Sequence, residues 1–174
     1  MNFKRLMLLL SAAVAVVAFS APAAQAQTLY EGTSPLANDA EVTATSTNLV
    51  TVSPLGTLEC ELVTLHITIT DNQSHPTTGT DAGTTVSECN KNISNQTSGS
   101  LTLSTGGTGV AAGATFVVEA FCDYSGNIPF SWESGSDVLT VTGEEQFSSS
   151  FCGKGTMTGT FTLETSDGTP VHIT

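Results

Sequence analysis

The sequence predicts an all-β protein, an antiparallel β-sandwich of Ig-like or jelly-roll-like form with about 8–10 strands. Three observations predict this fold class. Apolar and polar residues alternate with a period of two along most of the chain, four cysteines lie beyond the N-terminal segment, and that segment itself reads as an export signal. Together they predict a domain that follows a cleaved signal helix and is cross-linked by disulfides.

The N-terminal segment, residues 1–26, predicts a signal peptide. Lys4 and Arg5 give a positive start, and the apolar run 6–19 is shorter than the roughly 20 residues that a membrane span requires. The string AQA that ends at Ala26 fits the small-x-small rule for signal peptidase, so we expect cleavage after Ala26. We therefore expect a secreted, extracellular mature chain that carries no transmembrane segment and no lipid anchor at this site.

The remaining residues, 27–174, predict a single domain that is long enough to bury a core. The alternating segments that predict its strands are EVTATST, TLHITIT, TFVVEAFCDY, IPFSW, DVLTVT and TMTGTFTLET. In the last of these, threonines occupy every second position, while Met157, Phe161 and Leu163 lie between them. This alternation predicts a strand with a threonine face toward solvent and an apolar face toward the core.

One segment breaks the alternation. In LECELVTLHI the apolar positions run through Leu58, Cys60 and Leu62 and then continue at Val63 and every second residue after it. A regular strand cannot bury both sets on one face. The sequence therefore predicts a β-bulge near Leu62, or a strand that changes sheets there.

The charge of the chain argues against whole classes of partner. Once the signal peptide is removed, only Lys91 and Lys154 stand against 16 acidic residues, a formal net charge of −14. Such a field repels phosphate backbones and anionic lipid headgroups. We therefore expect no nucleic-acid partner, while a polysaccharide, a hydrophobic surface or a cell-envelope component stays open.

The four cysteines predict two disulfides in an exported protein. Three pairings are possible, and we favour the sequential pairs Cys60–Cys89 and Cys122–Cys152, which enclose loops of nearly equal length. The spacings contain no C-x2-C element, so a zinc site is disfavoured.

Residues that carry enzyme chemistry are present but show no catalytic pattern. The histidines His66, His75 and His172 have no metal-site spacing, and no G-x-S-x-G turn supplies a serine nucleophile. Carboxylates such as the adjacent pair Glu144-Glu145 occur among many scattered acids; others that lie near in sequence are Asp123, Glu133 and Asp137. We therefore expect no catalytic residue, no cofactor and no metal, so the protein is expected not to be an enzyme.

Two further motifs have alternative interpretations. Asn72, Asn92 and Asn95 each begin an N-x-S/T triplet, which is a glycan acceptor only in a eukaryotic secretory pathway. The aromatic residues of FCDYSGNIPFSW form either a core cluster or an exposed binding platform; they are Phe121, Tyr124, Phe130 and the only tryptophan, Trp132. Period-two placement favours the core, with a hydrogen bond to the indole N–H of Trp132.

Three strings carry a family resemblance: TATSTNLVTVSPLGTLEC, CDYSGNIPFSWESG and GTFTLETSDGTPV. With the leader they resemble secreted β-proteins of soil actinobacteria that have no assigned activity. A weaker similarity is to the extracellular alkane-oxidation activator (PraB-like) family, whose members are also exported, rich in Thr, Ser and Gly, and β-patterned. This resemblance implies a non-enzymatic protein that acts at the cell surface or at hydrophobic interfaces, and it transfers no functional residue.

We therefore predict a structural, adhesive or surface-binding protein at the cell exterior. Two alternatives stay open at this point. A secreted polysaccharide hydrolase requires a cleft with two carboxylates of raised pKa, and a carrier of small apolar ligands requires an apolar cavity.

Overall fold

The computed structural model of the chain describes residues 27–141, 143 and 146–174. The predicted signal peptide with its cleavage site at Ala26 lies outside these residues, as does the pair Glu144-Glu145.

The described chain is all-β, as the alternation predicts. Its strands are β1 (Leu29–Glu31), β2 (Ser34–Pro35), β3 (Glu41–Ser46), β4 (Leu49–Ser53), β5 (Gly56–Asp71), β6 (Thr77–Cys89), β7 (Ile93–Thr97), β8 (Ser100–Ser104), β9 (Thr108–Val118), β10 (Cys122–Ser131), β11 (Val138–Val141), β12 (Phe147–Ser149), β13 (Gly153–Thr165) and β14 (Val171–Ile173). In the part of the chain that the structure describes, no helix reaches the length and apolarity needed to cross a membrane.

The main sheet closes on itself as an eight-stranded antiparallel barrel. Around the barrel, β3 and β4 pair with β5, β5 with β6, β6 with β8, β7 and β8 with β9, β9 with β10, β10 with β11 and β12, and these two with β13. The ring closes where β13 pairs with β3, with Leu163 opposite Ala44. Three of the eight strands of the barrel are each formed by two short segments that lie end to end and pair with the same neighbour. These segments are β3 with β4, β7 with β8, and β11 with β12. The predicted two-layer sandwich is therefore wrong. Alternation shows that one face of each strand is buried, which holds for a sandwich and a barrel alike.

The two ends of the barrel are closed in different ways. At one end, which we call the capped end, a small sheet in the order β14-β1-β2 covers the barrel. Ser136, in the β10–β11 connection, bridges to Ile173 of this sheet. The other end carries the β4–β5, β6–β7, β9–β10 and β12–β13 connections together with both disulfides. We call it the disulfide end.

Asn72 fastens the small sheet to the barrel. Its Nδ2 donates to Leu29 O at 2.9 Å and Leu36 O at 2.8 Å, and its Oδ1 accepts from Leu29 N at 2.8 Å. The side chain is buried, so these bonds replace the water contacts that it loses on folding.

The facing of the residues follows the sequence pattern. Met157, Phe161 and Leu163 are buried, and the threonines between them are exposed or partly exposed. The switch in facing lies where LECELVTLHI predicts it, since Cys60 and Val63 are buried while Leu62 is 40% exposed. The pairing of β5 with β6 keeps one register past Leu62, where the sequence predicts a bulge. The nearest register shift lies between His66 and Ile67.

Two disulfides, Cys60–Cys89 and Cys122–Cys152, form the sequential pairs that the sequence favours. The first joins β5 to β6 at directly opposed residues, and the second joins the start of β10 to the β12–β13 connection. No free cysteine remains among the described residues. Two disulfides in one small domain point to an oxidising compartment.

Candidate functional site

Large apolar side chains are exposed at the disulfide end, at the tips of three hairpins. Leu55 is 37% exposed in the β4–β5 turn, Phe121 is 62% exposed before β10, and Phe151 is 90% exposed in the β12–β13 turn. We call these three residues the apolar tips. Single exposed apolar residues are common on proteins, but three at one end of a barrel form a candidate contact surface.

The turn before Phe121 has an unusual backbone. Glu119 and Ala120 have φ values of 53° and 61°, in the left-handed region that residues with a Cβ rarely adopt. Each such residue costs about 1–2 kcal/mol relative to the right-handed conformation. The turn is closed by Phe121 N, which donates to Val118 O at 3.3 Å. This tight turn ends the alternation of TFVVEAFCDY and leaves Phe121 outside the core.

A disulfide couples two of the apolar tips. Phe121 directly precedes Cys122, Phe151 directly precedes Cys152, and the Cα atoms of the two bonded cysteines are 5.8 Å apart. The two exposed rings therefore extend from backbones that are covalently tied together. Such a link limits the motion that would otherwise be lost on binding.

A buried aromatic cluster supports these tips from inside the barrel. The rings of Phe116, Tyr124 and Phe147 lie with centroids 5.1 to 5.4 Å apart, and Tyr124 Oη donates to Cys152 O at 3.3 Å. Trp132 is also buried, and its Nε1 donates to Gln27 Oε1 at 3.2 Å. The structure therefore places Tyr124 and Trp132 in the core, as predicted, whereas Phe121 of the same string is exposed.

The turn that carries Leu55 lies beside the turn that carries Phe151. Gly153 follows Cys152 with a φ of 76°, and a Cβ at this position would come within 2.9 Å of Pro54 Cγ. The β12–β13 turn thus packs closely against the β4–β5 turn that carries Leu55. The glycine is needed both for its backbone conformation and for this close approach.

Charged groups surround the tips without forming a catalytic pair. Glu61 of β5 and Glu88 of β6 directly adjoin the Cys60–Cys89 disulfide. The hydrogen bond with Glu88, together with the charge of that carboxylate, raises the pKa of Glu61. Both side chains are exposed, and two carboxyls that share a hydrogen bond leave no space for the glycosidic bond that a hydrolase must hold between them.

The structure keeps the other candidate groups apart. Asp123 lies at the disulfide end, whereas Glu133 and Asp137 lie in the β10–β11 connection at the capped end. The histidines are spread over β5 (His66), the β5–β6 connection (His75) and β14 (His172). Within residues 27–141, 143 and 146–174, no group of three or more His, Cys, Asp or Glu side chains is arranged to hold a metal ion.

The three N-x-S/T triplets are not equivalent. Asn72 is 2% exposed and uses both polar atoms of its side-chain amide in hydrogen bonds inside the protein. Asn92 and Asn95 are exposed on the β6–β7 connection and β7.

The chain matches no protein-family model, no curated protein and no solved structure. The site must therefore be interpreted from its own geometry. The sequence does carry one signal for it: each exposed phenylalanine stands immediately before a cysteine, in the strings EAFC and SSFC.

Proposed function

We propose that this is a secreted, non-enzymatic protein that binds uncharged apolar surfaces at the cell exterior through its apolar tips. The observation that carries this proposal is the pair Phe121 and Phe151, which are 62% and 90% exposed on turns joined by the Cys122–Cys152 disulfide. The family resemblance and the predicted signal peptide support the same location, and the two disulfides suit an oxidising compartment.

The energetics of the tips favour reversible adhesion. Burying a phenylalanine side chain stabilises by about 1.5–3 kcal/mol, so two rings and Leu55 together supply enough for a measurable contact. The disulfide reduces the ordering cost of that contact, because the two turns already lie side by side.

The charge selects the type of surface. Glu119 lies two residues before Phe121, Asp123 lies two residues after it, and the mature chain carries many more acids than bases. These carboxylates disfavour contact with an anionic lipid surface. A hydrocarbon droplet or another uncharged apolar phase therefore fits the tips better.

Partitioning onto hexadecane droplets tests the proposal. We expect the oxidised protein to bind droplets, and the double variant Phe121→Ser/Phe151→Ser to bind at least about tenfold more weakly, since about 1.4 kcal/mol corresponds to a factor of ten. Leu62→Ser is the matched control, because Leu62 is 40% exposed on β5 and not at a tip. Undiminished droplet binding by the double variant would refute the proposal, as would binding to cellulose or chitin alone.

A further inference from the structure

The turns around the disulfide end differ in chemistry from one side of the barrel to the other. The β4–β5, β9–β10 and β12–β13 turns carry the apolar tips, and the strands that they join are neighbours around the barrel. The turn between β6 and β7, residues 90–92, consists of Asn90, Lys91 and Asn92 and contains no apolar residue. We call it the polar turn. The disulfide end therefore has an apolar side and a polar side.

The polar turn is bonded to its neighbours on both sides. Asn90 N donates to Glu59 O at 3.0 Å, and Asn90 Nδ2 donates to Thr57 O at 3.2 Å. On the other side, Asn92 N donates to Glu119 Oε1 at 3.0 Å. These hydrogen bonds hold the polar turn in place, so a surface that covered the whole disulfide end would also cover this turn.

The apolar surface continues from the apolar tips along the outside of β4. Val52 is 50% exposed, and Pro54, between Val52 and Leu55, is exposed as well. The cross-strand neighbours of Val52 are Thr57 of β5 and Thr156 of β13, which carry no charge. We call Val52 and Pro54 the β4 strip. It joins the apolar tips on the side of the barrel that faces away from the polar turn.

The exposed aliphatic residue of β5 has different surroundings. Leu62 is 40% exposed and lies opposite Ser87 of β6, the strand that leads into the polar turn. It directly follows Glu61, whose carboxyl group is hydrogen-bonded with that of Glu88. An apolar phase that covered Leu62 would also remove water from these carboxyl groups, whereas Val52 can be covered without this cost.

These surroundings select an orientation for surface binding. A barrel standing upright on an apolar phase would bring Lys91 of the polar turn toward the phase and leave Val52 in water. Removing water from an ammonium group is unfavourable, and so is leaving an aliphatic side chain exposed. A tilt toward β4 avoids both.

We propose that the barrel binds an uncharged hydrocarbon phase in a tilted orientation, with the β4 strip buried beside the apolar tips and the polar turn in water. This inference rests on the proposed function and specifies which face makes the contact. Charge selects the occupant, because residues 27–174 contain 16 acidic residues and two lysines. A second copy of the chain and an anionic lipid surface are both repelled by this excess, whereas a hydrocarbon phase is not.

Partitioning onto hexadecane droplets in about 0.15 M salt, which screens long-range charge effects, tests the orientation with matched variants. Val52→Asn should weaken binding by about 3- to 10-fold, because a half-exposed valine no longer contributes to the contact. Leu62→Asn, on the polar side, should change binding by less than about twofold. Lys91→Ser should also leave binding unchanged, because the polar turn stays in water. If Val52→Asn does not fold, Val52→Thr keeps the β-branched shape and should weaken binding in the same direction.

The outcomes distinguish the orientation from the proposed function. If Phe121→Ser/Phe151→Ser loses binding while a folded Val52→Asn and Val52→Thr keep it in full, the tilt is overturned and the proposed function stands. Equal losses in Val52→Asn and Leu62→Asn, or stronger binding by Lys91→Ser, also overturn the tilt. Undiminished binding by the double phenylalanine variant refutes the proposed function and the tilt with it. A dimer that sedimentation detects in the wild type and not in Val52→Asn would assign the β4 strip to a second copy and overturn the choice of occupant.

Discussion

The capped end and the disulfide end close the same barrel in different ways. At the capped end, the side chains of Leu29, Val171 and Ile173 are at most 1% exposed beneath a three-stranded sheet that is bonded to Asn72. At the disulfide end, covalent links hold the turns, and Phe151 is 90% exposed. This difference teaches that one end is built for stability by burial, while the other presents apolar groups on a fixed frame.

The pKa shifts of the carboxyl groups also differ between the capped end and the disulfide end. At the capped end, hydrogen bonds from the Ser74 side chain and from Ser74 and Gln73 N–H lower the pKa of Asp71, and the Thr165 hydroxyl lowers that of Asp167. At the disulfide end, the neighbouring Glu88 raises the pKa of Glu61 instead. At the capped end, hydrogen bonds stabilise the charged form of the carboxylates. At the disulfide end, the two neighbouring carboxyl groups of Glu61 and Glu88 repel each other when both are charged.

The largest expected contrast compares two aromatic residues. Trp132→Ala should destabilise the protein by about 3–5 kcal/mol, because it leaves a cavity near the capped end and removes the bond to Gln27. Phe151→Ala, at the disulfide end, should change the free energy of unfolding by less than about 0.5 kcal/mol. Urea unfolding of both variants measures this, and equal losses would remove the distinction between the ends.

The second contrast compares two asparagines of the same sequence motif. Asn72→Ala should cost about 2–4 kcal/mol, since it leaves backbone groups of Leu29 and Leu36 buried without partners. Asn92→Ala, at an exposed position of the disulfide end, should cost no more than about 0.5 kcal/mol. Thermal unfolding of the pair checks the prediction, which a harmless Asn72→Ala would contradict.

A smaller effect is expected at Asp81 of β6, directly beyond the last β6–β8 pair, Thr80 with Ser100. Burial acts to raise the pKa of Asp81, but hydrogen bonds from Thr97, Ser98, Gly83 and Thr84 outweigh it and lower that pKa. The carboxylate therefore stabilises the fold above its unfolded pKa of about 3.9, and this contribution is lost as the pH falls through the lower folded value. Asp81→Asn should cost about 1 kcal/mol at pH 7.

The acid dependence of Asp81→Asn provides the check. Urea unfolding at pH 7 and at about pH 2 should show that the variant and the wild type approach each other in acid, because protonation removes the same acceptor. A difference in stability that stays constant over this range would mean that the charge of Asp81 does not contribute to the stability of the fold.

The facing of individual strands was predictable from the sequence, but their closure was not. Alternation correctly placed Phe161 and Leu163 inside, because side-chain direction along a strand is a local property. Whether the strands form two layers or one ring depends on the pairing of Leu163 with Ala44, which lie far apart in the chain. Local periodicity contains no information on that pairing, and it is therefore as compatible with a sandwich as with a barrel.

The candidate site was predictable only in part for a related reason. The cysteine spacing favours the pairs that hold the turns, whereas the aromatic string predicts Phe121 in the core with Tyr124 and Trp132, and the structure exposes it. Its exposure depends on the left-handed backbone of Glu119 and Ala120, and neither residue type predicts that conformation. Similarly, Asn72 matched a surface motif, and its burial follows from the docking of β1.

Hydrogen exchange of the oxidised protein with and without hexadecane droplets tests most directly which end binds. The account predicts slower amide exchange at residues 119–123 and 150–154 when droplets are present, with no change at 72–76 and 132–137 of the capped end. Protection confined to the capped-end segments, or droplet binding that protects neither end, would contradict the account.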